Sequence, residues 1–165
     1  MNDIITLTAT YLVYIIAVLA VFVWLRVPRE QKELLLVSAV LAIVIGIIMV
    51  KIAGMLYYHP RPFVAWHIMP LIAHGNNNGF PSDHTFASAL MAFVIAQVSW
   101  RWGAALFTMA LAVGWARVAA FVHWPIDIVG GVAVAALAVW LANIITRRII
   151  LKYRAMHGLH KHEVV

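Results

Sequence analysis

A run of 22 residues from Ile4 to Leu25 carries no charge, and four more long apolar stretches follow it in a chain of only 165 residues. A run of that length matches a membrane crossing, which takes about 20 apolar residues. It is too long for a secretory signal peptide and lacks both a basic start and a small-residue cleavage site. The other stretches run from Leu34 to about Tyr58, Ser82 to Val98, Gly103 to Phe121 and Ile126 to Ile145. The expected fold is therefore all-α, a polytopic membrane helix bundle of about five transmembrane helices. It should form one domain over residues 1–165, because five crossings leave no room for a second. With 65% apolar and 11% charged residues and a mean hydropathy of +0.94, the composition excludes an ordinary soluble enzyme. The absence of cysteine excludes disulfides, thiol catalysis and Cys-ligated metal sites.

The net charge of +6 would suggest nucleic acid in a soluble protein, so its distribution matters. Arg26, Arg29, Lys32, Arg101, Arg147, Arg148, Lys152, Arg154 and Lys161 fall at one set of span ends, and only Lys51, Arg61 and Arg117 at the other. The positive-inside rule then places the N-terminus outside, the C-terminal tail in the cytoplasm, and the 59–81 segment on the outer face. This pattern removes the support for nucleic acid as a partner, and no obligate protein partner is implied. The 59–81 segment is rich in Pro, His, Gly and Asn and is expected to be a loop, since irregular backbone cannot face lipid.

Ionisable residues at membrane depth are costly and should face a partner or a wet cavity. Lys51, Arg61, Asp83, His84, Arg117, His123 and Asp127 come from three separate segments that the topology brings to one face. Lys51, Arg61 and Arg117 converge there with Ser82 and the helix start at Pro81-Ser82-Asp83, an arrangement suited to an anion. His123 and Asp127 lie four apart, with Pro125 fit for a first helical turn. The carboxylate can then hold one imidazole nitrogen and leave the other free to attack, while His84 serves as acid or base. His59, His67 and His74, taken singly, read as interfacial or hydrogen-bonded residues. Their spacing matches no metal-ligand pattern, so neither metal nor cofactor is expected. Gly130 and Gly131 point to close helix packing. Trp66, Trp100, Trp102 and Trp124 read as an aromatic belt, and His157, His160 and His162 as part of a nonspecific basic tail.

Three motifs resemble those of the type 2 phosphatidic-acid phosphatases. The family's K-x6-R-P, P-S-G-H and S-R-x5-H-x3-D stand here as K-x9-R-P (Lys51, Arg61, Pro62), P-S-D-H (Pro81 to His84) and A-R-x5-H-x3-D (Arg117, His123, Asp127), across residues 45–132. Asp83 in place of glycine, together with HPRPF and FPSDHT, is similar to the branch that dephosphorylates undecaprenyl pyrophosphate on the outer face of the bacterial cytoplasmic membrane. The resemblance implies that His123 attacks phosphorus to form a phosphohistidine, that Asp127 orients it, and that His84 protonates the leaving oxygen and then activates water. Arg61, Arg117, Ser82 and Lys51 would hold the phosphoryl oxygens without a metal. Asp83, beside that phosphate site, would tune His84, repel a second acidic group or cap the helix. Ala116 removes one hydroxyl contact that the family has, and the longer spacing of Lys51 leaves its reach open. Bacitracin resistance on overproduction is the expected cellular effect.

Other classes remain open on the residues alone. The same pocket could serve another lipid phosphate or a phosphotransfer. It could bind or transport a phospholipid without cleavage, or place His84 and His123 as axial ligands of a haem.

Overall fold

The computed structural model describes residues 2–156, with side chains placed through Ile149; His157, His160, Lys161 and His162 of the basic tail lie outside the described residues. The elements are α1 (Asn2–Arg26), α2 (Arg29–Leu56), α3 (Pro62–Ala65), α4 (Asp83–Ala96), α5 (Trp100–Ala119) and α6 (Pro125–Met156), with no strand among the described residues. α1, α2, α5 and residues Pro125–Ile149 of α6 are long and apolar enough to cross a membrane. Their exposed faces carry large apolar side chains, among them Val18 at 68%, Ile48 at 53% and Val129 at 61% exposure. Such faces are unfavourable in water and suit lipid, so the chain is a membrane protein.

The third expected span differs from the rest. α4 has 14 residues, about 21 Å at 1.5 Å per residue, which is short of a full hydrocarbon core. It packs against α1, α2, α5 and α6 together and buries Thr85, Phe86, Ser88, Ala89, Leu90, Ala92, Val94 and Ile95. A helix sheathed by four others has little lipid to match, so it can be short and carry hydroxyls. Gly131 allows α6 its approach to α4, since a Cβ there would lie 2.8 Å from the Ser82 carbonyl oxygen. A Cβ on Gly130 would enter the ring of Phe80, a loop residue, so Gly131 serves the close helix packing expected of the pair while Gly130 seats the loop.

The breaks follow local chemistry. Pro28 starts α2 and Pro62 stands at the first position of α3, where a missing N–H costs nothing. The 59–81 loop contains the single turn α3 and a bend at His67. After α5 the chain turns sharply at Phe121, which holds φ 61° in the left-handed region, a conformation unfavourable by roughly 1 kcal/mol for a residue with a Cβ. That turn sends Val122 and His123 inward, both buried.

Candidate active site

α6 begins at Pro125, so Trp124 is its preceding cap and Asp127 the third helical residue. Asp127 Oδ2 accepts the Trp124 backbone N–H at 2.8 Å, the reach-back half of a capping box. The same oxygen lies 3.3 Å from His123 Nδ1. Arg61 Nη1 stands 3.1 Å from His123 Nε2. A guanidinium only donates and an ionised carboxylate only accepts, so these two partners fix the imidazole as neutral with its proton on Nδ1 and a lone pair on Nε2. Burial holds the His123 pKa below its usual value; the Asp127 hydrogen bond opposes this, and Arg61 and Arg117 reinforce it. The spacing read from sequence is thus realised, and the carboxylate does face the imidazole.

Arg61 is 3% exposed and caged by the loop. Its Nε donates to the Asn77 carbonyl and Oδ1 at 3.2 Å, its Nη1 to the Val122 carbonyl at 2.8 Å, and its Nη2 to the Asn78 carbonyl at 3.1 Å. Burial lowers its pKa, against the raising pull of Asp127 and Asp83. Gly79 packs tightly beside it: a Cβ there would stand 3.1 Å from Asp127 Oδ2 and 3.2 Å from the His59 carbonyl oxygen, so both would have to give by a few tenths of an ångström.

Arg117 is equally buried but far less satisfied. Nη1 makes one long bond, 3.4 Å, to the Ala9 carbonyl of α1, and Nε has no partner. A buried cation with free donors is costly unless an anion meets it. Ser82 is fully buried at the cap of α4; its Oγ accepts from Thr85 Oγ1 at 3.1 Å and its N–H donates to the Asp127 carbonyl at 3.0 Å. His84, half-buried as the second residue of α4, lies within electrostatic reach of Arg117, His123 and Arg61.

Lys51 and Asp83 are placed differently. Both are exposed and line a cleft of about 790 Å³ together with Asn77, Asn78, Phe80 and Phe86. Asp83 is the first residue of α4, and the cap position belongs to Ser82, which corrects the reading of Asp83 as the cap. Asn77 and Asn78 face this cleft while their carbonyls hold Arg61, so Lys51 stands beside the Arg61 cage and not within it.

Two residues read singly as interfacial belong to the site. His59 Nδ1 lies 2.8 Å from Asp127 Oδ1, and the His74 ring lies 6.2 Å from that of His123, centroid to centroid. His74 is pushed down to about 4 by burial first, then by the positive fields of Arg61 and Arg117. No spacing rule finds these residues, since the loop's fold alone brings them in. His67 stays exposed at its turn. Trp124 is not a lipid-facing belt residue either: Nε1 donates to the Pro60 carbonyl at 2.8 Å, and the ring packs against Trp66 and His59. Among the described residues no three His, Asp or Glu side chains gather as a metal-holding group.

The sequence profile of the PAP2 superfamily matches residues 34–150, more than two thirds of the chain. The chain belongs to the PAP2 superfamily. This agrees with the resemblance carried by the three motifs. Among its relatives, the Bacitracin transport permease protein BcrC of Bacillus licheniformis is 32% identical over 143 residues, 84% of this chain and 68% of that protein. The Undecaprenyl-diphosphatase BcrC of Bacillus subtilis is 26% identical over 135 residues, 82% of this chain and 69% of that one. Among solved structures, Aquifex aeolicus LpxE has the same fold, with a TM-score of 0.65 at 23% identity over 86% of this chain and 84% of that one. The PAP2 match begins inside α2, so α1, whose Ala9 carbonyl meets Arg117, precedes the matched region.

Proposed function

We propose that the protein is a lipid phosphatase that hydrolyses undecaprenyl pyrophosphate to undecaprenyl phosphate and phosphate. The observation that carries this reading is the His123 imidazole, with its proton committed to Asp127 and its Nε2 lone pair facing Arg61. Nε2 attacks the terminal phosphorus and the bridging P–O bond breaks. His84 gives a proton to the departing undecaprenyl phosphate oxygen, then takes one from the water that opens the phosphohistidine, so the imidazole returns unchanged. Arg61 exchanges its contact with Nε2 for a phosphoryl oxygen. Arg117, with free donors already in place, and Ser82 hold the others while charge redistributes. Lys51 and Asp83 face the substrate from the adjoining cleft. The chain's own His, Arg and Asp groups account for each proton and charge in this scheme.

The name of the Bacillus subtilis relative supports the substrate. The nine basic residues at one set of span ends against three at the other support a bacterial cytoplasmic membrane orientation with the site facing outward. The permease name of the other relative supports a second reading, binding and transport of the lipid without cleavage.

One experiment separates them. Detergent-purified protein is given undecaprenyl pyrophosphate with a chelator present, and wild type is compared with His123→Ala. Phosphate release that survives the chelator and is lost in the variant is expected. Wild type that binds the lipid and releases nothing favours transport, and release abolished by the chelator alone overturns the mechanism. Phosphatidic acid offered as a competing substrate sets the lipid preference.

A further inference from the structure

Asp127 is fully buried, and its two oxygens are served unequally. Oδ2 receives the Trp124 backbone N–H and His123 Nδ1, whereas Oδ1 has one partner, His59 Nδ1 at 2.8 Å. That is a shorter contact than the 3.3 Å between Asp127 and the nucleophile candidate itself. His59 is in turn immobilised. Its backbone N–H donates to Asn78 Oδ1 at 2.9 Å and its carbonyl accepts from Gly79 N–H at 2.9 Å. Its ring lies between Tyr57, 5.3 Å away, and Trp124, 5.9 Å away.

We propose that His59 is a positioning residue for the reaction, supplying the N–H that fixes Asp127 Oδ1 so that Oδ2 stays aimed at His123. The proposal rests on the phosphohistidine reading above. A buried carboxylate oxygen stripped of its donor must find another or take up a proton, and in either case the carboxylate rotates or loses the charge that orients the imidazole. His59 touches no reacting atom in this scheme and acts through Asp127. Because Asp127 fixes the nucleophile and not the lipid, loss of His59 should appear in kcat and leave KM nearly unchanged.

The test compares His59→Leu, His59→Asn and His59→Gln on undecaprenyl pyrophosphate, with thermal midpoints of the detergent-solubilised proteins as the folding check. Asn presents an amide N–H near the position of imidazole Nδ1, and Gln carries it one methylene further. The expected result is a kcat lowered roughly 10- to 100-fold by His59→Leu, with KM within about twofold, and most of the loss restored by Asn but not by Gln. Equal activity of Asn and Gln variants, an undiminished kcat in the Leu variant, or a loss confined to KM would each overturn the proposal. Should the Leu variant fail to fold, the Asn-to-Gln contrast decides alone. If wild type releases no phosphate, the underlying phosphatase reading fails instead, and a dead His123→Ala beside fully active His59 variants defeats only the role of His59.

Discussion

Polar side chains are buried at both ends of this bundle, and the two clusters are built on different chemistry. At one end, where α2 finishes and α4 and α6 begin, Arg61, Arg117, His123, His59 and Asp127 gather, with the Arg117 Nε unpartnered. At the other end, Ser38 of α2 lies 2.9 Å from Asn143 of α6 and 3.3 Å from Gln97 at the close of α4. Asn143 lies 16 residues beyond Asp127 along α6, about 24 Å along its axis from the charged cluster. The Ser38 cluster is neutral: the buried Ser38 hydroxyl is shared between the half-buried Asn143 amide and the exposed Gln97 amide, and the nearby buried Thr146 hydroxyl has no partner among the described residues. A neutral, mutually bonded cluster locks helices in register. An unneutralised cationic cluster costs stability unless something else completes it. The comparison therefore supports the ligand chemistry proposed for the first cluster and an assembly role for the second.

The largest expected effect lies in the charged cluster. His123→Ala removes the proposed attacking nitrogen, and phosphate release should fall by about 10³-fold or more with little change in the thermal midpoint. Retained turnover would move the nucleophile elsewhere and dissolve the contrast between the two ends.

Arg117 sharpens it further, because function and stability should move in opposite directions. In the proposed mechanism Arg117→Met removes a transition-state contact and should lower kcat/KM about 10²- to 10³-fold, the scale of deleting one preorganised donor. It also removes a buried cation with free donors, so the protein should be as stable as wild type or more so, by up to about 1–4 kcal/mol. A variant that is both inactive and strongly destabilised would mean that Arg117 is a structural residue, satisfied by α1 through the Ala9 carbonyl.

Ser38→Ala probes the neutral end and should give the reverse. Losing the hydroxyl that the half-buried Asn143 and exposed Gln97 amides share should cost about 0.5–1.5 kcal/mol of stability, read as a lower thermal midpoint, with kcat/KM within about twofold of wild type. A kinetic defect here would show that the two ends are coupled through α4, the helix they share.

What the sequence disclosed follows the same division. The four long spans are legible from hydropathy because lipid demands an apolar exterior along their whole length. α4 is less so: its membrane is other helices, and length matching to the bilayer does not apply to it. The His123–Asp127 pair is legible because four residues across a helix start suffice to join them. Arg61, Ser82 and Arg117 become legible once the topology places their segments on one face. His59 and His74 are not, since each reaches the site through loop residues 57–81, whose path depends on Asn78 bonding the Gly54 and Tyr57 carbonyls and on Arg61 binding the Asn77 and Asn78 carbonyls. Such paths have no periodicity to read. Lys51 is legible by its type, and its place on the cleft wall beside the Arg61 cage follows from the α2 register, which the longer motif spacing leaves open.

The smallest effect concerns pH. His74 is held at about 4 by burial and the positive fields of Arg61 and Arg117, and His123 is held below its usual value by burial, with the same two arginines reinforcing. The unfolded chain, with imidazoles near 6.5, therefore binds more protons than the folded one between pH 6.5 and about 4, and stability must fall as pH falls through that window. It is fully present above 6.5. The thermal midpoint of the empty protein should drop on acidification from pH 7 to pH 4.5. An anion in the site counters the arginine fields, so saturating inorganic phosphate should flatten the drop, and in Arg117→Met the drop should already be shallower without phosphate. Ser38→Ala should keep the full pH dependence with its midpoint lowered throughout, because Ser38 bonds only the neutral Asn143 and Gln97 amides among the described residues. An identical slope in Arg117→Met and wild type would show that burial and Arg61, without Arg117, set these histidines, weakening one of the physical differences between the two ends.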